Sequence, residues 1–259
     1  MELTDDQLKA LTLQDKSRCE AFRAEKFQKE SKKHWDLFYK RNETRFFKDR
    51  HWTTREFQEL LQVDSDSQKV LMEVGCGVGN FLYPLIEETS IDLFVHATDI
   101  SPRAVQMVQE NPLYDPERIN AFQSDVTKND CFSSNVKPES VDIASLIFVL
   151  SAVRPNEFVN VLNNIHKVLK KDGLLIFRDY CVNDMAMFRF KKGSKIDNRH
   201  YLRHDGTTSY FFELEEMSKL AEEAGFAVEV NEVIERRTVN KKEDVDVQRL
   251  FLQGKYRKK

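Results

Sequence analysis

From residue 69 onward, the apolar and polar positions follow a strand-then-helix rhythm. Continuous apolar runs fall at KVLMEVG (69–75), DLFVHATD (92–99), INAFQSD (119–125), VDIASLIFV (141–149) and GLLIFRDY (173–180). Between them, NFLYPLIEE, SPRAVQMVQE and NEFVNVLNNIHKVLKK carry apolar residues at helical spacing. Strands that are apolar on both faces and alternate with helices predict a mostly parallel sheet covered on both sides. The rhythm then changes. After the helical EEMSKLAEEAGF, the segments AVEVNEVIERRTV and DVQRLFLQGKYR read as two strands in succession. That ending predicts an antiparallel pair at one sheet edge. Residues 2–33 are charged and helix-forming with sparse apolar points, and VDSDSQ (63–68) reads as a polar linker. The expected organisation is an N-terminal helical, aromatic-basic extension over 1–62 and an α/β domain over 63–259.

The chain of 259 residues is long enough for one large core with an extension. Its formal net charge of −3 excludes a global polycation, so any nucleic-acid surface must be a local basic patch. Cys19, Cys76, Cys131 and Cys181 are isolated, with no CxxC pair, which argues against a zinc site or a disulfide framework. Reduced thiols suit a cytoplasmic or nuclear protein. His200 and His204 have H-x3-H spacing, but no second pair completes a metal set, so no metal is expected. Acids at Glu2, Asp5, Asp6, Asp15 and Glu20 argue against a transit peptide. The run IASLIFVLSAV (143–153) is too short to cross a bilayer and reads as a buried strand.

Three of the eight glycines fall in EVGCGVGN (73–80), between a predicted strand and a helix. Glycine there permits a tight turn and close approach of a ligand. A phosphate-cradling P-loop needs a Lys and a Ser/Thr after its last glycine, and both are missing. A dinucleotide fingerprint needs a third glycine where this chain has Asn80. The pattern E-x-G-x-G-x-G, with Glu73 and Gly75 at its start, leaves an adenosine without pyrophosphate: S-adenosylmethionine. Asp99 ends the second strand, where a carboxylate meets ribose hydroxyls, and Asp125 ends the third, toward the adenine. With these acids and the closing strand pair, the chain resembles the class I (Rossmann-like) S-adenosylmethionine-dependent methyltransferases. The resemblance implies a mostly parallel seven-stranded sheet with an antiparallel edge strand.

The sequence also restricts the target atom. NPLY (111–114) looks like the motif of exocyclic-amine methylation, but it lies between the second helix and the third strand and is read as a turn. No cysteine nucleophile stands near the fourth strand, which argues against pyrimidine carbon-5 chemistry. Ring nitrogens, oxygens, small molecules and protein side chains remain.

The segments HWDLFYKRN, FFKDRHWTTREF, LIFVLSAV, FRDY, FRFKKGSK and DGTTSYFF together resemble the eukaryotic methyltransferase-like enzymes that make 3-methylcytidine at position 32 of the tRNA anticodon loop. The match runs from about residue 30 to 256. It is most similar to the short cytosolic branch acting on serine tRNA, because the insert of the longer branch between HW and the first strand is absent. The resemblance implies that Trp35 and Tyr39 fold over the cofactor, and that Gly75, Asp99, Asp125, Val126 and Ile147 bind it. It also implies seryl-tRNA synthetase as a partner.

Residues 32–57 hold eight Lys/Arg and seven Phe/Trp/Tyr. Cations contact phosphates and rings stack on unpaired bases, so Phe46, Lys48, Arg50 and His51 are candidate RNA contacts. A second basic run at 188–204 adds Lys191, Lys192 and Arg203, and KYRKK at the C-terminus forms a third. The rings could equally dock the extension onto the core. Asp179, in FRDY, is the candidate group to stabilise positive charge developing on the base. Its alternative is an internal pair with Arg178 or Arg189. Two other functions stay open: methylation of a protein or small molecule, and a non-catalytic RNA-binding subunit with this fold.

Overall fold

The computed structural model describes residues 3–62, 68–240 and 245–259. Residues 63–67 of the expected linker (63–68), and with them the proposed domain boundary, lie outside the described residues. Helices α1 (Asp5–Asp15), α2 (Ala21–Lys29), α3 (Ser31–Asn42) and α4 (Thr53–Glu56) precede strand β1 (Lys69–Val74). Then come α5 (Leu82–Glu88), β2 (Leu93–Asp99), α6 (Pro102–Gln109), β3 (Ile119–Gln123), β4 (Val141–Ile147), α7 (Phe158–Val168) and β5 (Leu169–Tyr180). An insert carries α8 (Met185–Phe188), β6 (Lys195–Asp197), β7 (His200–Leu202) and β8 (Thr208–Tyr210). The chain closes with α9 (Leu214–Glu223), β9 (Phe226–Asn240) and β10 (Val245–Lys258).

The main sheet has seven strands in the order β3-β2-β1-β4-β5-β10-β9. Strands β1 to β5 are mutually parallel, and β10 runs antiparallel to both β5 and β9. The expected antiparallel pair is therefore at the edge, with its inner member opposing the rest. Side chains alternate between two cores, as the two-residue period of a strand requires. Met72, Val74, Ala144, Leu146, Leu175 and Phe177 pack with Leu162 and Ile165 of α7 and Met217 of α9. Leu71, Val95, Ile143, Leu174 and Ile176 pack on the other face with Leu82 and Leu85 of α5 and Val105 and Val108 of α6. Because β1 pairs with both β2 and β4, the strand order reverses there. The crevice at the carboxyl ends of these strands is where such sheets bind ligands.

Three elements differ from the sequence pattern. Strand β4 ends at Ile147, because Phe148 takes φ +58° and the chain turns into a 3-10 turn at Leu150–Ala152. Helix α7 stops at Val168, because Leu169 is extended, fully buried and paired with Val141. The sheet β6-β7-β8 was not foreseen: its strands are three residues each, too short for a periodic signal.

That insert holds the N-terminal extension in place. Buried Gln14 of α1 donates to the carbonyls of Met187 and Phe190 at 3.0 and 3.1 Å, and accepts from the Tyr201 hydroxyl at 3.1 Å. Buried Lys195 pairs with Asp15 at 2.8 Å. The extension and the insert thus form one roof over the sheet end.

The basic C-terminus is not an outward patch, correcting the sequence reading of KYRKK. Lys255 pairs with Glu59 at 2.6 Å, Arg257 pairs with Glu229, and Lys258 pairs with Glu139 at 3.2 Å. These residues belong to β10, which lies between β5 and β9, so each has an acid of a neighbouring segment within reach.

Candidate functional site

A cavity of about 350 Å³ opens beside the carboxyl ends of β1, β2 and β4. Its walls include Gly75, Cys76 and Gly77 of the loop after β1, Asp99, Asp125 and Val126, and Phe148 and Val149 after β4. Phe27, Trp35 and Tyr39 come from α2 and α3, and Gly206 and Thr208 from the insert. The loop needs glycine at two points. Gly75 has φ +71°, and a Cβ there would lie 2.4 Å from Val149 Cγ2. Gly77 has φ +55°, and its Cβ would lie 2.9 Å from the Tyr39 hydroxyl. The bare backbone therefore tucks between the end of β4 and the roof.

Asp99 is buried and accepts from the Gly77 N–H at 3.0 Å and the Ser101 N–H at 2.9 Å. Burial pushes its carboxyl up to about 6, against the pull of those N–H groups. Asp125 is half-buried and accepts from the Thr127 N–H and hydroxyl at 3.1 and 2.7 Å. Trp35 and Tyr39 lie one turn apart on α3 with ring centroids 6.1 Å apart. Burial raises the Tyr39 phenol well above its ordinary range. The structure brings six of the seven cofactor candidates to one cavity: Trp35, Tyr39, Gly75, Asp99, Asp125 and Val126.

Ile147 is the exception. Its side chain is buried in the core beneath the sheet end, and its carbonyl accepts from Arg50 Nη1 at 3.1 Å. Arg50 is in turn not an outer RNA contact. It is half-buried and lines the cavity, with its guanidinium 5.6 Å from the Phe148 ring centre. The chain brings it there because its N–H donates to the Asn80 carbonyl at 2.7 Å, just past the glycine loop.

Asp179 does not reach the cavity either. It is fully buried and accepts from the N–H groups of Ser151 and Tyr180 at 2.9 and 2.8 Å. Burial pushes it up to about 6. It holds the turn after β4 and does not line the cavity. Its neighbour Arg178 pairs instead with Glu56 at 3.1 Å and stacks 3.9 Å from the Trp52 ring centre.

The aromatic-basic stretch divides accordingly. Phe38, Tyr39, Trp35 and Phe47 pack inward with Val78 and Ala104, and Trp35, Tyr39 and Phe47 also line the cavity, so these rings face the core and the cavity, not the outer surface. His51 Nδ1 lies 2.5 Å from Glu88 on α5, which ties it to the protein surface. Phe46 remains 55% exposed, and Lys48 is exposed. Lys191, Lys192 and Arg203 line a second cleft of about 580 Å³, together with Arg23, Arg189 and Arg249, which the sequence reading did not select. No local signal could have selected Arg23, because it stands on α2, far along the chain from the insert.

Glu73 lies beneath the glycine loop. It is buried, one carboxylate oxygen has no partner among the described residues, and burial pushes it up to about 8, with Arg50 pulling it down. This donor set fits S-adenosylmethionine. Arg50 would meet its carboxylate, Asp99 its ribose, and the side of Asp125 and Val126 its adenine. The rings of Trp35 and Tyr39 would face the sulfonium as cation–π partners. The buried, mostly neutral Glu73 predicts a proton linkage. A cationic ligand favours its ionised form and lowers its pKa from about 8, so binding near pH 7.5 should release a proton. Release should be larger for S-adenosylmethionine than for S-adenosylhomocysteine, which lacks the sulfonium charge. Calorimetry in buffers of different ionisation enthalpy measures it; equal heats in every buffer would show that Glu73 does not titrate with the ligand.

Comparison with known proteins agrees with this geometry. A family profile described as "Methyltransferase domain" matches residues 39–230. The chain is 54% identical over 246 residues to the tRNA N(3)-cytidine methyltransferase METTL6 of Rattus norvegicus, covering 94% of this chain and 85% of that protein. The chain belongs to the tRNA N(3)-cytidine methyltransferase family. It is also 40% identical to the tRNA N(3)-methylcytidine methyltransferase trm141 of Schizosaccharomyces pombe, over 93% of this chain and 98% of that one. Among solved structures, a SAM-dependent methyltransferase from Anabaena variabilis superposes with a TM-score of 0.66 at 10% identity, over 88% and 95% of the two chains. Another from Methanosarcina mazei gives 0.58 at 15% identity, over 78% and 96%. These two likenesses concern the fold. In this chain, the roof built from the N-terminal helices and the β6–β8 insert closes over the cavity, through Phe27, Trp35 and Tyr39 on one side and Gly206 and Thr208 on the other. Among the described residues, no helix is long and apolar enough to cross a membrane, and no cluster of His, Cys, Asp and Glu could hold a metal.

Proposed function

We propose that this protein transfers the methyl group of S-adenosylmethionine to N3 of cytidine 32 in the anticodon loop of tRNA, forming 3-methylcytidine, and that its substrate is a serine tRNA. The observation that carries this reading is a cofactor-sized cavity that adjoins, across the Phe148–Tyr180 ring contact, a cleft rich in Lys and Arg, in a chain whose relatives are named for this product. The chemistry asks little of the protein. N3 of cytosine is mostly unprotonated at neutral pH and attacks through its own lone pair. The protein contributes alignment of N3 with the methyl–sulfur axis and exclusion of water by the roof. Asp99 and Arg50 fix the two ends of the donor, so that its methyl is presented at one point. A loop nucleotide must leave its stack to reach that point, at a cost of a few kcal/mol that contacts to the backbone offset.

Seryl-tRNA synthetase is the proposed partner, and cytoplasm with nucleus the proposed location. The test is nucleoside mass spectrometry of serine tRNA after incubation with the protein and S-adenosylmethionine, with and without the synthetase. 3-Methylcytidine is expected, and is expected to disappear when cytidine 32 is changed to uridine. Methyl transfer to protein or to a small molecule with tRNA left unmodified would overturn the reading.

A further inference from the structure

Several cations of the basic runs, and Arg249 of β10, are already committed. Lys195 pairs with Asp15, Arg199 with Glu213 and Glu216, and Arg249 with buried Asp184. At the C-terminus, Lys255 pairs with Glu59, Arg257 with Glu229 and Lys258 with Glu139. Arg23, Arg189, Lys191 and Lys192 differ. They are exposed, line the second cleft, and make no ion pair among the described residues. Among the described residues, no Asp or Glu lines that cleft. Four uncompensated cations around one concavity repel one another, and a polyanion relieves that repulsion.

The cleft also has a defined inner end. Tyr180 lines it, while Phe148 lines the cofactor cavity, and their ring centroids are 5.2 Å apart. Thr208 and Ser209, consecutive on β8, face the cavity and the cleft respectively. Arg203 lies 5.4 Å from the Tyr180 ring centre and donates to the Ser209 hydroxyl at 3.2 Å, fixing this wall from the cleft side. Phe148 is held at φ +58°, an uncommon conformation for a bulky residue and one that concentrates at functional positions.

We infer that the second cleft binds the RNA phosphodiester backbone beside the target nucleotide, through Arg23, Arg189, Lys191 and Lys192, and that the target base reaches the cofactor by stacking at Tyr180. The inference rests on the tRNA reading above and adds the path by which the base enters. The opening stretch is then mainly a clasp, and the phosphate contacts come from α2 and the insert.

Two variants test it. In Arg189→Ala/Lys191→Ala/Lys192→Ala, tRNA affinity at about 0.1 M salt should fall roughly tenfold or more. The plot of log affinity against log salt should become shallower by about two, as expected for three lost phosphate contacts. Affinity for S-adenosylhomocysteine should be unchanged. Wild-type tRNA affinity and slope in this variant would overturn the cleft assignment, even with 3-methylcytidine still formed. In Tyr180→Ala, kcat at saturating tRNA should fall tenfold or more with the salt slope unchanged, and Tyr180→Phe should restore turnover. Wild-type turnover in Tyr180→Ala, or equal losses in Ala and Phe, would refute the stacking role. If the wild-type protein bound tRNA through this cleft but formed no 3-methylcytidine, the proposed activity would fail and the cleft would stand.

Discussion

Asp99→Ala is expected to lose cofactor affinity by about a hundredfold or more while the sheet stays folded. The carboxylate already receives two backbone N–H groups, and its position at the end of β2 leaves it to accept from ribose hydroxyls. Hydrogen bonds to a charged group contribute about 1.5–3 kcal/mol each, so losing a pair of them gives this magnitude. The fold pays separately: the Gly77 and Ser101 N–H groups lose their acceptor, at about 1–3 kcal/mol for each that stays dry. The pH dependence has a definite sign. A carboxyl raised from 3.8 to about 6 favours the folded state at low pH, and that contribution is lost as pH rises through 6. The alanine variant lacks this loss. Its destabilisation relative to wild type should therefore be largest near pH 4 and shrink above pH 6. Calorimetric titration with S-adenosylhomocysteine, alongside thermal melts at both pH values, measures both effects. Wild-type affinity in the variant would remove Asp99 from the binding site.

Gly75→Ala should cost both stability and binding. The backbone at φ +71° is left-handed, which costs an L-residue about 1–2 kcal/mol. The added methyl would also sit 2.4 Å from Val149 Cγ2. A branched side chain just after β4 has little freedom to withdraw, so overpacking adds about 1–3 kcal/mol. Together these are about 2–5 kcal/mol, which lowers Tm by roughly 5–15 °C for a domain of this size. The Gly75 N–H donates to the Thr98 carbonyl at 2.7 Å, so a shifted loop also displaces the segment that ends in Asp99. Cofactor affinity should fall in parallel. Shortening Val149 to Ala in the same chain should recover the overpacking part and leave the backbone part. Equal melting of Gly75→Ala and wild type would show that the loop relaxes freely.

The sequence by itself determined the elements whose signals are local. The middle residues of strands β1 to β5 are buried or half-buried on both faces, so their apolar stretches are visible without partners. The turn after β1 needs left-handed backbone, which only glycine supplies cheaply, so Gly75 and Gly77 mark it directly. Asp99 and Asp125 follow from strand ends, which a run of apolar residues also locates. NPLY is a turn, with the Asn111 side chain accepting from the Leu113 N–H at 2.9 Å.

The tertiary structure decided which way side chains face and which charges are already paired. Arg50 and Lys48 look alike in the sequence, yet one lines the cofactor cavity and the other is exposed. Lys195 and Lys192 stand in one basic run, yet Lys195 is buried against Asp15, 180 residues away, and Lys192 is free to meet a ligand. Asp179 follows a strand as Asp99 does, but the turn after β4 folds over it and uses its oxygens. The roof required three-residue strands and a buried glutamine, neither of which leaves a periodic trace. Backbone conformation and burial on a regular element depend on neighbours a few residues away, so they are written in the chain. The partner of a charge depends on contacts across the fold, so only the folded molecule fixes it.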